Sequence, residues 1–290
     1  MFWTGIFNLI LILFLGINDP APRVNPDFTL ISLKSDAPAF KLEAQRGAVL
    51  AAGGHLFLFT SRADEVQPIA SITKLMTALV FLEHNPGWSK VYKISGSDKV
   101  EGGRLNLFLG DQVTVKDLFY TSLVASDNGA TIALVHATGL SEKEFVRAMN
   151  QKAQKIGLRQ TSFEDPVGLS DNDVSTAREV ALLAQAALSQ AEIREATTKS
   201  EYRFTTLDGR EKVVESTDYL LFNPAADSLQ VMGGKTGYTE KAGYCFVGRL
   251  KSSSGQELIS VVLNSSGKNE RFVESRDLAN WVFNSYNWSK

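Results

Sequence analysis

The order of its segments places this chain in the α+β class, with a mainly antiparallel sheet built from both ends and helices filling the middle. Three observations predict it. Short apolar runs parted by turn residues occur near the start, from Ala48 to Thr60, and return beyond Tyr202. Between them, from about Ser71 to Ala187, apolar residues recur at helical spacing. The last strand-like runs lead into an amphipathic stretch, Arg271 to Trp288, which reads as a closing helix. Strands drawn from distant ends and a central helical insert leave a cleft where the two parts meet.

Taken in order, Phe2 to Ile17 is an uncharged, largely apolar run. It reaches roughly 24 Å as a helix, short of the ~30 Å hydrocarbon core of a bilayer. That length suits the apolar region of an export signal, yet no Lys or Arg precedes it and no small-x-small cleavage site follows. Residues 1–18 are therefore expected to be an export signal or an N-terminal membrane anchor, with retention favoured over cleavage. Residues 19–26 form a polar, proline-rich linker, and 27–290 a single folded domain. The runs AVLAA and HLFLFT, parted by Gly53-Gly54, predict a hairpin. A helix opens near Ser71 and ends near Asn85-Pro86-Gly87, and Val91 to Ile94 reads as a short strand. Val113 to Ala125 starts with strand alternation and turns helical. Gly129 to Thr138, Ser141 to Ile156 and Ser175 to Ala187 are further helices, the second opened by the capping box Ser141-x-x-Glu144. Tyr202–Thr206 with Lys212–Glu215, and Gly243–Leu250 with Leu258–Asn264, predict two more hairpins.

Composition excludes several functions. A net charge of −2 gives no reason to expect nucleic acid. Cys245 is the sole cysteine, so no intramolecular disulfide forms, and His55, His84 and His136 make no ligand-spaced pair. Neither a metal nor another cofactor is expected.

The chemistry starts at Ser71 and Lys74. At i and i+3 on one helix they share a face, a nucleophile beside a base at a helix start. Ser-x-x-Lys is weak alone. It recurs at Ser265-Ser266-Gly267-Lys268, where Gly267 and the polar surroundings predict a turn. Ser126-Asp127-Asn128 lies between two apolar helices, so its polar groups must be satisfied there or face a cleft. The second copy, Ser170-Asp171-Asn172, reads as solvated loop. Lys235-Thr236-Gly237 sits in a glycine-rich stretch where another backbone can approach closely.

Ser-x-x-Lys, Ser-Asp-Asn and Lys-Thr-Gly, in that order, are the motif set of penicillin-binding proteins and serine β-lactamases. The flanks narrow the choice. Pro68-x-Ala70-Ser71-x-Thr73-Lys74-Leu75-Met76-Thr77-Ala78 and Lys235-Thr236-Gly237-Tyr238-Thr239-x-x-Ala242-Gly243-Tyr244-Cys245 resemble the low-molecular-mass D-alanyl-D-alanine carboxypeptidases (peptidase family S11). Met149-Asn150-x-Lys152-Ala153, Pro166-x-Gly168-Leu169 and Ser175-Thr176-Ala177 fit the same pattern, and the resemblance runs from about Asp27 to Trp288.

The resemblance implies a β-lactamase/transpeptidase-like fold and removal of the terminal D-alanine from peptidoglycan stem peptides through a Ser71 acyl-enzyme. β-Lactams would acylate the same serine. Lys74 would act as base, its pKa lowered from about 10.4 to about 7 by burial and the Lys235 cation at roughly 4–5 kcal/mol. Ser126 would carry a proton to the leaving amine. Asn128, Lys235, Thr236, Gly237 and Tyr238 would hold substrate, with the Ser71 and Tyr238 N–H groups as oxyanion donors. Arg271 would help bind the terminal carboxylate; otherwise it forms a surface ion pair with Glu270 or Glu274. The protein would work outside the cytoplasmic membrane, in the periplasm or wall space. The alternatives are a D,D-endopeptidase on wall cross-links, a catalytically inert wall-binding module, and a class A β-lactamase. The last requires a Glu-x-x-Leu-Asn loop, whereas Glu164 is followed by Asp165-Pro166-Val167-Gly168.

Overall fold

The structure is a computed structural model describing residues 31–100, 102, 105–222 and 229–288. The export or anchor segment and the linker lie outside these residues. Five strands form the central sheet: β1 (Arg46–Ala51), β2 (Phe57–Ser61), β3 (Leu229–Thr239), β4 (Gly243–Ser252) and β5 (Glu257–Ser265). Their order is β3-β4-β5-β1-β2, with every neighbouring pair antiparallel. The two ends of the chain do supply one sheet, and the predicted α+β class holds.

Between β2 and β3 runs the helical part: α1 (Lys74–Glu83), α2 (Val115–Val124), α3 (Asn128–Ala137), α4 (Glu142–Lys155), α5 (Ala177–Ser189) and α6 (Ala191–Thr197). The last helix, α7 (Glu270–Ser285), follows β5. The strands are apolar on both sides because both sides are covered. Ala48, Leu50, Ile259 and Val261 face a core shared with α1 and α5, while Val49, Ala51 and Leu258 pack with Leu278, Ala279 and Val282 of α7. This is strand alternation with both faces buried.

The hairpin of β1 and β2 and the Glu201–Thr205/Glu211–Glu215 hairpin stand where the residues predict them, and the short strand expected at Val91 to Ile94 forms over Val91–Lys93, paired with Gln112–Thr114. Ser141 caps α4, accepting from Glu144 N while the Glu144 carboxylate accepts from Ser141 N. Two expectations need correction. The chain is not helical from Arg271 to Trp288: α7 stops at Ser285, and Tyr286–Asn287 extends to pair with Ser32–Leu33. A pairing with residues at the other end of the chain outweighs the local helical spacing. Nor is Ser71 inside an α-helix. It sits in a 3₁₀ turn, Ala70–Thr73, and the α-helix begins at Lys74. Ala70, which opens that turn, stands at φ +49°.

Candidate active site

The residues of the three motifs meet where α1, the α2–α3 junction and β3 converge. Lys74, the first residue of α1, is fully buried. Its Nζ lies 3.0 Å from Ser71 Oγ, 2.7 Å from Asn128 Oδ1 and 2.7 Å from the Val167 carbonyl oxygen. The last two partners can only accept. A neutral amine has two N–H bonds, so these acceptors use both and its lone pair is left for the Ser71 hydroxyl. Burial pushes the Lys74 pKa down to about 7, against Asp165, Asp127 and Asp173, which favour the charged form.

Ser126 occupies the junction of α2 and α3 at φ +58°, a costly conformation for a non-glycine residue. Asp127 fixes that junction by accepting from Ala130 N, Asn106 N and Asn106 Nδ2 at 2.8, 2.9 and 2.8 Å. The Ser126 hydroxyl is thereby aimed at β3, where Lys235 Nζ donates to it at 2.7 Å and to the Thr236 carbonyl at 3.0 Å. Lys235 is also buried, and its pKa is held well below the usual lysine value by burial, Lys74 and Arg271, with Asp218 opposing. Burial raises the Asp218 pKa to about 7.

Gly237 explains why the third motif needs glycine. A Cβ there would lie 2.7 Å from the Ile69 carbonyl and 3.4 Å from Ser71 N, so β3 runs directly against the nucleophile's backbone. Tyr238 follows at the exposed edge. Arg271 is no surface residue. Its Nη1 donates to the Gly237 and Cys245 carbonyls at 3.0 and 3.4 Å, and its guanidinium lies over the Tyr244 and Phe272 rings. The Glu270 or Glu274 ion pair does not form; Glu274 accepts from Ala44 N and Ser265 Oγ instead.

Ser71, Ser126, Asn128, Thr236, Gly237, Tyr238 and Arg271 all line one cleft of about 240 Å³, with Lys74 and Lys235 beneath them. A larger apolar cavity of about 470 Å³ lies behind the Ser126–Asn128 junction, away from the convergent groups. The duplicate motifs stay outside the chemistry. Ser170 and Asn172 bond Glu164 in an exposed loop, and Ser265 ends β5, with Ser266 to Lys268 in the turn that follows.

Residues missed by sequence reasoning also line the cleft: Leu169, Thr217, Tyr219 and Lys268. Thr217 Oγ1 lies 2.6 Å from Thr236 Oγ1. Nothing local marks Thr217, which follows a hairpin. Lys268 was visible as the lysine of the second Ser-x-x-Lys; it belongs to a turn, as predicted, yet that turn borders the cleft. Cys245 is a buried strand thiol whose pKa burial raises to about 11.

Comparison with known proteins gives a consistent answer. The family description D-alanyl-D-alanine carboxypeptidase, Peptidase S11, matches residues 35–267. The D-alanyl-D-alanine endopeptidase of Escherichia coli K12 is 31% identical over 228 residues, 78% of this chain and 72% of that protein. The D-alanyl-D-alanine carboxypeptidase DacF of Bacillus subtilis is 32% identical over 79% of this chain and 59% of its own length. Among solved structures, cefotaxime-bound penicillin-binding protein D2 of Listeria monocytogenes superposes with a TM-score of 0.73 at 32% identity, covering 85% of this chain and 99% of that one. The Streptomyces K15 DD-transpeptidase gives 0.77 at 25% identity, over 85% and 99%. The motifs, the fold and a family match spanning most of the sequence agree: the chain belongs to the serine peptidase family S11, the D-alanyl-D-alanine carboxypeptidases.

Proposed function

We propose that the protein removes the terminal D-alanine from peptidoglycan pentapeptides by acyl transfer through Ser71. The supporting observation is the Lys74 amine, which is buried, holds two acceptor-only partners and lies 3.0 Å from Ser71 Oγ. The Ser71 oxygen attacks the carbonyl of the D-Ala-D-Ala bond while its proton passes to Lys74. The Ser71 and Tyr238 N–H groups stabilise the oxyanion, a donor typically being worth about 3–4 kcal/mol. Ser126 then delivers a proton to the departing D-alanine nitrogen, and the C–N bond breaks. Water attacks the Ser71 ester, releasing the shortened peptide and restoring the serine hydroxyl. The substrate backbone pairs with the outer edge of β3 as an added strand. Asn128 and Thr236 bind the peptide, and Arg271 supports the end of the pocket that takes the free carboxylate.

β-Lactams acylate the same serine in this reading; ampicillin-bound and cefotaxime-bound relatives support it. Residues 1–18 place the domain outside the cytoplasmic membrane and keep it attached; among the described residues no helix is long and apolar enough to cross a membrane. Incubating the full chain with a labelled pentapeptide should release D-alanine. Penicillin should leave one adduct, mapped to Ser71 and lost in Ser71→Ala; an adduct on Ser265 or Cys245 would overturn the assignment. A second reading, hydrolysis of D,D cross-links, is favoured by the relatives named endopeptidases, including those of Haemophilus influenzae and Pseudomonas aeruginosa.

A further inference from the structure

Between α4 and α5 the chain passes through the loop 164–173, which touches the site at three points. Lys74 Nζ donates to its Val167 carbonyl at 2.7 Å. Gly168, at φ +86°, packs so closely on the nucleophile's backbone that a Cβ would lie 2.1 Å from the Ala70 carbonyl oxygen and 2.9 Å from Ser71 N. Leu169 forms part of the cleft wall. A loop without a helix or strand must satisfy its own backbone groups, so something has to hold it in this shape.

A single carboxylate does so. Asp165 Oδ1 accepts the N–H groups of Val167 and Gly168, each at 2.6 Å, and Oδ2 those of Leu169 and Ser170 at 2.9 and 2.6 Å. Bonds to an ionised acceptor are the stronger kind. Asp173, fully buried, anchors the fan from below: its Oδ1 accepts from Glu164 N at 2.6 Å and Asp165 N at 3.2 Å. Its backbone carbonyl accepts from Ile69 N at 3.0 Å, two residues before the nucleophile. Thr77 of α1 donates to the Pro166 carbonyl at 2.6 Å.

We propose that Asp165 is a positioning residue for the acyl-transfer site: by gathering four successive loop N–H groups it holds the Val167 carbonyl on Lys74 and the Gly168 backbone on Ser71. This rests on the reading of Lys74 as the base. Asp165 acts twice, through the loop shape and through its charge. The groups facing Lys74 are Asp165 and Asp173 from this loop, Asp127 from the α2–α3 junction and Lys235 from β3; the three carboxylates favour the charged amine. Asparagine at 165 keeps an acceptor and removes the charge. Glutamate keeps the charge but holds it one methylene too far out for the same fan.

The test is the rate of penicillin acylation of the full chain between pH 5 and 9, with thermal unfolding measured on each variant. Asp165→Asn should fold, lose about 10- to 100-fold in the plateau rate, and show its acid limb at lower pH, since a carboxylate that favours protonated Lys74 is gone. Asp165→Glu should lose plateau rate with the limb in place. Ser170→Ala, whose side chain bonds only the loop itself, should match the parent. A folded Asp165→Asn with the parent's limb and a rate within about twofold would overturn the proposal. If Asp165→Asn does not fold, a parental rate in Asp165→Glu overturns it instead. A parent chain that penicillin fails to acylate would refute the acyl-enzyme reading, and with it the proposal that rests on it; a parent that is acylated, with Asp165→Asn unchanged, would overturn the proposal alone.

Discussion

At the residue scale the site depends on which hydroxyl and which amine meet. The chain offers two Ser-x-x-Lys and two Ser-Asp-Asn sequences; Ser71 and Ser126 line the cleft, Ser170 and Ser265 do not, and of the second Ser-x-x-Lys only Lys268 borders it. Burial distinguishes the amines. Lys74 and Lys235 are enclosed, whereas Lys268 lies exposed over the Tyr219 ring. An ammonium free in water keeps its proton at neutral pH, and an enclosed one can give it up. Ser126→Ala should therefore slow penicillin acylation by about 10²- to 10⁴-fold, the usual worth of a positioned proton carrier, while Ser170→Ala leaves it unchanged. Measuring both variants side by side checks the choice, and the reverse pattern would put the chemistry in the other loop. With Lys74 as the proposed base, the acid limb of the parent profile should fall near pH 7, where burial has brought its pKa.

At the element scale the cleft is a joint between an edge strand and a helix start. β3 presents Lys235 inward and pairs with β4 on one side, leaving its other side open to a peptide. Arg271 opens α7 but spends its Nη1 on the carbonyl of Gly237, so it braces β3 from behind as it lines the pocket. Arg271→Ala should cut kcat/KM on a free-acid pentapeptide by about 10- to 100-fold, and an amidated peptide should already be a poor substrate of the parent. The same variant should lower Tm, since two carbonyls lose a buried donor at about 1–3 kcal/mol in total. Equal turnover of acid and amide by the parent, with no loss in the variant, would favour the endopeptidase.

Much of this was legible in the residues. Turn dipeptides and alternation located the hairpins, helical spacing located α1 to α5, and motif order picked out the residues that gather at the cleft. The rest depended on contacts across the chain. Nothing near Tyr286 says that Ser32 will pair there, nothing near Thr217 says that Thr236 will lie beside it, and Asp165 looks like a turn residue until its loop is seen against Lys74. The short α6 went unread because its polar and apolar residues show no long period.

For the whole molecule, enclosing so many ionisable groups links stability to pH. Asp218 has a folded-state pKa of about 7, above its ordinary value, so the stability it contributes is present below about pH 4 and is lost as pH rises toward 7. The Tm of the parent relative to Asp218→Asn should accordingly fall between pH 4 and 8, and a flat difference would mean that Asp218 is already ionised at the acid end. The pairing of Ser32–Leu33 with Tyr286–Asn287 has another consequence. It brings residue 31 and residue 288 to one corner, at the far end of α7 from Arg271. That helix is a rigid spacer, and fourteen residues at 1.5 Å each put roughly 21 Å between the corner and the cleft. Any leash attached before residue 31 or after 288 thus departs from the same corner. The zone of cell wall that a tethered molecule can reach depends on the leash and this fixed offset, and not on which end is held.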